Sequence, residues 1–396
     1  MAARIAILRP YAMLPSEGGA NDRYVNLCEK LAALGAEPEL YCSDFIHNAK
    51  QRRMASAIAL NAQRLPYLRQ VRSIAYRSNL SPARIAHEAW FGLQVFWRLA
   101  RGPRPDVVLV GEPLFAVGWI ALLYGLLFRV PVLADLIDLW PEADTAIRHG
   151  FSGALRKAAY VALAASRGLR LRGYAAVSYV SRAYADRLAP GAPVFYWGSE
   201  LAPRHPRAPS QDRLVAIYAG SLGLGYDIST LLEAAAILHR QGAPLRVVIA
   251  GSGPRLAEVR RAQSESVIDY LGQLGQAELT LAYESADIGL LPYQSGSMVA
   301  MPIKFFDYVN FGLAIASSLA MEARDLIEEK GLGVSYEAGD AKDLADKLIG
   351  LSANRAAIER ARAACGALAK EFSVDAQYER FARFVLGYVR APRRLS

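Results

Sequence analysis

Two charged residues one helical turn apart, Lys304 and Asp307, stand at the start of a predicted helix that follows a polar loop. Pro302 occupies the position where a first helical residue is favoured, and the free N–H groups of a helix start bind anions. The Lys304 ammonium adds positive charge there, and the Asp307 carboxylate can accept two hydrogen bonds from vicinal hydroxyls. The pattern indicates a site for a diphosphate joined to a ribose, and a plain lysine–aspartate surface pair is the alternative.

Glycine loops follow the first predicted strand in each half of the chain. Gly18 and Gly19 precede a helix predicted over 21–34, and Gly220 with Ser221 follow a strand predicted over 214–219. Glycine lets the backbone approach a ligand closely, although an ordinary turn explains the first loop equally well. The second loop matches neither GxGxxG nor GxxxxGK[ST], which disfavours a dehydrogenase or a P-loop kinase.

An acidic segment forms the third candidate. Asp135 and Asp138 follow a predicted strand over 130–135, where site residues of a parallel sheet are expected. They could orient an acceptor hydroxyl or stabilise positive charge developing on a sugar ring. Helix capping by Asp138 or Glu142 is the alternative.

Short apolar runs alternate with amphipathic helices along the chain, which predicts parallel sheets covered on both faces. The first series has strands at 4–8, 38–42, 106–110, 130–135 and 175–178, and the second at 214–219, 245–250, 267–271, 288–292, 313–317 and 333–336. The prediction is an α/β protein with two doubly wound domains, 1–200 and 211–374, facing a cleft. The proline-rich segment 201–210 is interpreted as the linker, and a helix within 375–396 as packing back on the first domain.

The composition excludes several classes of protein. The 396 residues contain 3 widely separated Cys and 5 isolated His, which argues against a disulfide framework and against a bound metal. Only four apolar residues follow Arg4, which predicts a buried strand instead of a secretory leader and therefore a cytoplasmic protein. The apolar run 114–128 is too short to span a bilayer and is interpreted as a buried core helix, with an interfacial segment as the alternative.

The chain is basic, with 46 Lys+Arg against 37 Asp+Glu and a formal net charge of +9. The basic clusters lie at 52–84, 98–104, 156–172 and 390–394. We interpret them as contacts for an anionic membrane surface, with plain solvated faces as the alternative. No zinc finger, RNP motif or basic zipper is present, so nucleic acid is not an expected partner.

At these residues, over nearly the whole chain, the sequence resembles a retaining glycosyltransferase of the GT-B fold, family 4 type, in the subgroup that builds bacterial surface polysaccharides. The resemblance rests on the order and spacing of Gly18-Gly19 with Arg23, Tyr76–Asn79, Asp135–Glu142, Tyr218–Ser221, Val248–Pro254, Tyr270–Gln273, Tyr283–Asp287 and Pro302–Tyr308 with Gly312.

The resemblance implies two Rossmann-like domains and a role for each motif. Asp307 would hold the ribose, Lys304 and the loop after 296 the diphosphate and sugar, and Asp138 would lie near the acceptor or the anomeric carbon. The residues assigned to nucleotide-sugar binding are Gly18, Gly19, Arg23, Gly220, Ser221, Gly251, Gly272, Leu274, Ser297, Met298, Val299, Ala300, Met301, Pro302, Lys304 and Asp307. Those assigned to catalysis are Asp138, Lys304 and Asp307.

The implied reaction transfers a sugar from a UDP- or GDP-sugar, without a metal or a bound cofactor, to a lipid-linked or oligosaccharide acceptor. The place implied is the inner face of the cytoplasmic membrane, where the chain would be peripheral. Two alternatives stay open: a nucleotide-sugar 2-epimerase of the same fold, and a non-catalytic partner of another transferase.

The sequence also departs from the family pattern. The first acid of the usual E-x7-E pair is replaced by Val299, and the usual Arg and Lys after the second glycine loop are replaced by Ser221 and the Gly225–Tyr226 region. Lys304 is therefore expected to bear most of the diphosphate charge, helped by Arg23 or Arg255.

Overall fold

A computed structural model of the chain describes residues 2–17, 22–78, 81–142, 153–201, 203 and 213–389. The chain divides into two compact units, the first of Met1–Tyr196 with Gln377–Ser396 and the second of Trp197–Ala376. The chain thus passes between the units twice, after Tyr196 and after Ala376. Most of the predicted linker 201–210 lies outside the described residues.

The first unit is an alternation of strands and helices. In chain order these are β1 (Arg4–Leu8), a short 3₁₀ turn (Pro15–Glu17), α1 (Arg23–Ala33), β2 (Glu37–Ser43), β3 (Phe45–Ile46), β4 (Gln51–Arg52), α2 (Ala55–Arg64), β5 (Leu68–Val71), α3 (Pro82–Arg101), β6 (Val107–Glu112), α4 (Phe115–Phe128), β7 (Val132–Leu136), α5 (Gly153–Gly173), β8 (Ala176–Tyr179) and α6 (Arg182–Leu188). Strands β3 and β4 pair with each other as an antiparallel hairpin. The other strands of the unit form one parallel sheet of order β5-β2-β1-β6-β7-β8.

The second unit repeats this plan. Its elements are β9 (Leu214–Ala219), α7 (Ile228–Arg240), β10 (Leu245–Ala250), α8 (Leu256–Ser264), β11 (Asp269–Tyr270), α9 (Gln276–Glu284), β12 (Ile288–Leu291), α10 (Ile303–Asn310), β13 (Ala314–Ser317), α11 (Met321–Lys330), β14 (Gly333–Ser335), α12 (Ala341–Ala353), α13 (Arg355–Ala369) and α14 (Val374–Leu386). The sheet order is β11-β10-β9-β12-β13-β14, again all parallel. Most of α14 belongs to the first unit.

Both sheets are doubly wound with the same strand order, so the predicted fold class is confirmed. The central strands β6 and β9 are buried at every residue because helices cover both faces, and such strands have continuous apolar sequences. In each sheet the order reverses between the first and fourth main strands, β1 and β6 or β9 and β12. Ligands of open α/β sheets bind at the carboxyl ends of such strands.

Helix α4 differs from the prediction for run 114–128. The helix forms, but only Val117, Gly118, Ala121 and Tyr124 of it are buried. Its opposite side exposes apolar residues, including Leu126 at 77% and Leu127 at 60%. A wholly apolar helix has no polar side to reveal which face is covered, so the prediction of a buried core helix was wrong for half of its surface.

The basic cluster 156–172 also differs from the prediction of a solvated or membrane-facing stretch. Arg170 is buried and donates to Glu112, with Nε 2.9 Å from Oε1, and Arg167 is buried and pairs with Glu142 at 2.5 Å. Arg172, by contrast, is exposed. Two of the arginines in this stretch therefore stabilise the first unit instead of facing a partner.

The most deeply buried pair joins Arg23, at the start of α1, to Asp135 in β7. Both side chains are fully buried, and Nε and Nη2 of Arg23 lie 2.6 and 3.0 Å from the carboxylate oxygens. The hydroxyls of Tyr24 and Ser178 donate to the same carboxylate at 3.0 and 2.8 Å. Asp135 therefore has four donors, which offset the cost of burying its charge.

We expect Asp135→Ala to lower the free energy of unfolding of the first unit by about 3–5 kcal/mol, because Arg23 would remain buried without its counter-ion. Urea unfolding followed by tryptophan fluorescence measures this, since four of the five tryptophans lie in the first unit. Asp325→Ala, which removes an exposed carboxylate from α11, is the matched control and should change the value little. Equal losses in the two variants would contradict the role given to the buried pair.

Candidate functional site

Three glycines meet at the carboxyl ends of β9, β10 and β11. The Gly251 N–H donates to the Gly272 carbonyl at 2.7 Å, and the Gly220 N–H donates to the Ala250 carbonyl at 2.9 Å. A Cβ on Gly251 would overlap the Gly220 carbonyl oxygen, so the loops can come together only with glycine there. The structure thus gathers the predicted glycines of the second unit at one edge of its sheet, with Leu274 half-buried two residues beyond Gly272.

Lys304 lies beside the first of these glycines. Its ammonium is 3.3 Å from the Tyr226 hydroxyl, 4.5 Å from the centre of the Tyr226 ring and 5.5 Å from the centre of the Tyr218 ring. A Cβ at Gly220 would overlap Lys304 Cε. Glycine at 220 therefore admits the lysine, and the two tyrosine rings hold its charge by cation–π attraction. Sequence reasoning missed both tyrosines as partners of Lys304, because contacts 78 and 86 residues apart leave no local pattern.

Helix α10 begins at Ile303, directly after Pro302, with no side-chain cap. The first N–H groups of such a helix have no intrahelical acceptor and carry partial positive charge. In the preceding loop, Ser297 Oγ accepts from the Val299 N–H at 3.3 Å, and the backbone N–H of Ser297 donates to the Gln294 carbonyl. Met298 is half-buried, whereas Ala300 and Met301 are buried. The predicted diphosphate loop thus leads into an uncapped helix start bearing a lysine.

Asp307 does not pair with Lys304, although they are one turn apart. The carboxylate is buried and accepts a hydrogen bond from Ser199 Oγ at 2.7 Å. Burial raises the pKa of Asp307 from its ordinary value of 3.8 to about 6, and Ser199 and Lys304 limit the rise. The alternative of a surface ion pair is wrong, because the two side chains point to different partners.

The second glycine loop brings a further tyrosine contact. The Tyr218 hydroxyl donates to the Ser221 carbonyl at 2.5 Å, which fixes the turn after β9. Arg255, named as a helper of Lys304, bonds Ser229 Oγ and lies 3.4 Å from Glu258. Its guanidinium charge is therefore partly neutralised by Glu258 of α8, and one of its N–H groups is bonded to Ser229 of α7.

In the first unit the predicted site residues do not form one cluster. Gly18 and Gly19 lie outside the described residues. Arg23 is fully buried in the pair with Asp135, so it offers no surface to a ligand, and its assignment to donor binding is corrected. Asp138, three residues beyond Asp135, is instead exposed and lines a cavity of about 480 Å³.

This cavity lies at the carboxyl ends of β1, β6 and β7, where the strand order reverses. Its walls are Arg9, Tyr11, Ala12, Met13, Glu17, Ile46, His47, Asn48, Arg53, Arg84, Pro113, Ile137, Asp138 and Trp140. Sequence reasoning named Asp138 and the basic character of 47–84 but missed Arg9 and Tyr11. The available signal was their position directly after the first strand.

Tyr11 and His47 anchor two polar networks in the cavity wall. The Tyr11 hydroxyl donates to Glu88 at 3.0 Å and accepts from Arg84 Nε at 3.4 Å, and burial raises the pKa of Tyr11. His47 Nδ1 is hydrogen-bonded to the Tyr76 hydroxyl. Burial, followed by the charges of Lys50, Arg84 and Arg9, lowers the pKa of His47 to about 3, so the imidazole is neutral at physiological pH. Within the described residues, no group of three or more His, Cys, Asp or Glu side chains could hold a metal ion.

We expect Asp307→Asn to stabilise the second unit at neutral pH. An acid whose pKa is raised on folding favours the folded state only while protonated, so its contribution is lost as pH rises from about 4 to about 6. The variant should therefore gain up to about 3 kcal/mol over the natural chain by pH 8, and little at pH 4. Scanning calorimetry at several pH values measures this, and a difference that stays constant with pH would contradict the raised pKa.

Comparison with known proteins agrees with this arrangement. The family model described as "Glycosyl transferase 4-like domain" matches residues 18–193, and "Glycosyl transferases group 1" matches residues 213–354. The WcaL protein of Escherichia coli (strain K12), named as a glycosyltransferase of colanic acid biosynthesis, is 27% identical over 161 residues. That match spans 39% of each chain.

Solved structures match almost the whole chain. HepE from Anabaena, crystallised with UDP, has a TM-score of 0.67 at 14% identity and covers 98% of this chain and 100% of its own. WaaG, a glycosyltransferase involved in lipopolysaccharide biosynthesis, has a TM-score of 0.61 at 13% identity. The match covers 97% of this chain and 100% of the WaaG chain. With two glycosyltransferase domain models in order and doubly wound sheets in both units, the chain belongs to the GT-B glycosyltransferases.

Proposed function

We propose that the chain is a retaining glycosyltransferase. It moves a sugar from a nucleotide-diphosphate-sugar to a lipid-linked saccharide in bacterial surface-polysaccharide synthesis. The observation on which this rests is Lys304, held on two tyrosine faces against Gly220 at the start of α10. A fixed cation beside an uncapped helix start favours a diphosphate leaving group.

Asp307 is proposed to hold the ribose. Its carboxylate already accepts from Ser199, and a carboxylate has room for further donors such as ribose hydroxyls. Its raised pKa means that this acceptor role requires pH above about 6. The site would thus bind two parts of one ligand, the ribose at Asp307 and the diphosphate at Lys304.

The proposed chemical step uses no nucleophile of the protein. The bond from the anomeric carbon to the diphosphate oxygen breaks, and the acceptor oxygen bonds the same face of that carbon. The acceptor proton passes to the departing diphosphate. Lys304 stabilises the negative charge that develops on that leaving group, and the protein contributes mainly position and charge.

Three relatives support the choice of donor and pathway. HepE binds UDP, and a second HepE structure contains UDP and glucose. The names of WcaL and WaaG refer to colanic acid and lipopolysaccharide biosynthesis. UDP-glucose is therefore our first probe of donor binding.

We expect Lys304→Ala to weaken UDP-glucose binding at least ten-fold, because the diphosphate loses its fixed cation. Calorimetry at pH 8 measures the affinity. Lys347→Ala, which removes an exposed lysine from α12, is the matched control and should leave the affinity unchanged. Unchanged affinity in Lys304→Ala would overturn the role of this lysine.

Product analysis with UDP-sugars, together with the calorimetry, separates the alternatives. A chain that isomerises UDP-sugars with no acceptor present would be an epimerase of this fold. A chain that binds no nucleotide-sugar and copurifies with a second transferase would be a non-catalytic partner. Transfer to an added saccharide, lost in Lys304→Ala, is the result that we expect.

We also propose that the first unit binds the inner face of the cytoplasmic membrane. Three neighbouring helices, α3, α4 and α5, expose apolar side chains, namely Trp90, Leu93, Trp97, Trp119, Leu123, Leu126, Leu127, Val161 and Leu169. The α3–α4 seam is tight, because a Cβ on Gly92 would meet Ile120 at 2.7 Å, and Trp119 donates to Ser166 of α5 at 3.2 Å. The apolar side chains therefore form one surface, which we call the apolar face.

The charges around the apolar face support an anionic lipid surface as its proposed partner. Arg101 lies over the Trp97 ring and Arg104 over the Phe128 ring, at 4.8 and 5.9 Å. The only acid in α3, α4 and α5 is Glu88, which is buried. Tryptophans and arginines together suit the interface of a bilayer with anionic headgroups. No helix in the described part of the chain has the length and hydropathy needed to span a membrane.

We expect the protein to bind vesicles containing phosphatidylglycerol and to bind phosphatidylcholine vesicles far less. Replacing Leu126 and Leu127 by serine should reduce binding about 30-fold or more, because each buried leucine side chain contributes roughly 2 kcal/mol and about 1.4 kcal/mol is a factor of ten. Flotation of the purified protein with each vesicle measures this.

The control for this experiment is Leu281→Ser, which removes an exposed leucine from α9 of the second unit. It should leave vesicle binding unchanged. The proposed surface would be contradicted if vesicle binding were the same in the natural chain and in the Leu126 and Leu127 variant, and also unchanged by salt concentration.

A further inference from the structure

The cavity of the first unit is surrounded by cations that come from separate elements. Arg9 follows β1, Lys50 lies in the β3–β4 hairpin and Arg84 lies in the first turn of α3. Arg9 and Arg84 line the cavity itself. Lys50 is outside the lining, with its ammonium 5.0 Å from the centre of the Tyr76 ring, and the Tyr76 hydroxyl is hydrogen-bonded to His47 of the cavity wall. Positive charge therefore reaches the cavity from three directions.

The acids near the cavity do not cancel this charge evenly. Glu17 is paired with Arg53, whose guanidinium also donates to the carbonyls of Ala12 and Ser43. Glu88, the partner of Arg84, is buried behind the wall and does not line the cavity. Among the described residues, no carboxylate lies within ion-pair distance of Arg9, which bonds the Gly111 carbonyl at 2.9 Å.

His47 reports the sign of the local potential. Every charge among the main causes that lower its pKa is a cation or a second imidazole: Lys50, Arg84, Arg9 and His87. A neutral imidazole can bond a ligand without adding charge of its own. The anionic group in the cavity wall nearest the end of β7 is Asp138, so one side of the cavity is acidic and the other basic.

The remaining walls suit a sugar. Tyr11 and Trp140 supply aromatic surface, and Asn48 supplies an amide. A volume of about 480 Å³ lies within the range of small-molecule sites. We propose that this cavity binds an acidic saccharide, with its carboxylate or phosphate toward Arg9, Lys50 and Arg84 and a hydroxyl toward Asp138.

In naming this saccharide as the acceptor, the proposal rests on the proposed function. It narrows the acceptor from any saccharide to one that carries an anionic group within one or two sugar units of the reacting hydroxyl. The carboxylate of a uronic acid and the phosphate of a sugar phosphate share this chemistry.

Ligand-observed NMR titrations of the full chain with glucose, glucuronate and glucose 6-phosphate test the inference. We expect at least one anionic probe to bind ten-fold or more tightly than glucose at low salt, with the preference shrinking at 0.5 M salt. Which anionic probe binds identifies a carboxylate or a phosphate as the recognised group. Equal binding of all three would overturn the inference.

Arg9→Gln should reduce the preference for the anionic probe about ten-fold, and Arg9→Lys should keep most of it. Arg72→Gln, which removes an exposed arginine of the first unit outside the cavity, is the matched control. Because Arg9 also bonds a backbone carbonyl, Lys50→Gln provides a second variant on a separate element, the β3–β4 hairpin. A preference that survives in both Arg9→Gln and Lys50→Gln would overturn the inference.

Titration of UDP-glucose on the same samples distinguishes this inference from the proposed function. The Arg9 variants should bind UDP-glucose normally, and Lys304→Ala should keep its preference for the anionic probe. If UDP-glucose fails to bind the natural chain while the Arg9-dependent preference persists, the proposed function falls and the anion site stands.

Discussion

The buried pair of Arg23 and Asp135 is the contact on which the first unit depends. It joins the start of α1 to β7, takes a hydroxyl from β8, and includes the Tyr196 carbonyl, which accepts from Arg23 at 3.2 Å. The rings of Tyr378 and Phe381 in α14 lie against the same guanidinium at 5.7 and 4.8 Å. The buried pair thus joins five segments that are far apart in the sequence, because each supplies a group to one of its two charges.

The two units use one sheet plan for different electrostatic tasks. In the second unit a single lysine, supported by tyrosine rings and admitted by a glycine, stands beside an uncapped helix start. In the first unit several cations from separate elements surround a wider cavity. The basic residues of the chain therefore serve different ends, and some of them are neutralised in buried pairs such as Arg170–Glu112.

The sequence predicted the fold class and most of the strands, because continuous apolar runs between glycine turns are local features. Gly220, Gly251 and Gly272 were named from the family resemblance, and their meeting at one edge of the sheet follows from the parallel order of their strands. The sequence did not predict the short strands β3, β4 and β5, whose sequences are too brief and mixed to show a period. The partners of its charged residues were also hidden, because Arg23 and Asp135 are 112 residues apart.

The two passages of the chain between the units have a consequence for synthesis. The second unit is an insertion into the first. The Tyr196 N–H, just before the insertion, donates to Gln377 Oε1, just after it, at 3.0 Å. Residues of α14 that surround Arg23 leave the ribosome only after the whole second unit has been made. The second unit can therefore fold while the first unit still lacks part of its core, so the unit that begins first is the unit that is completed last.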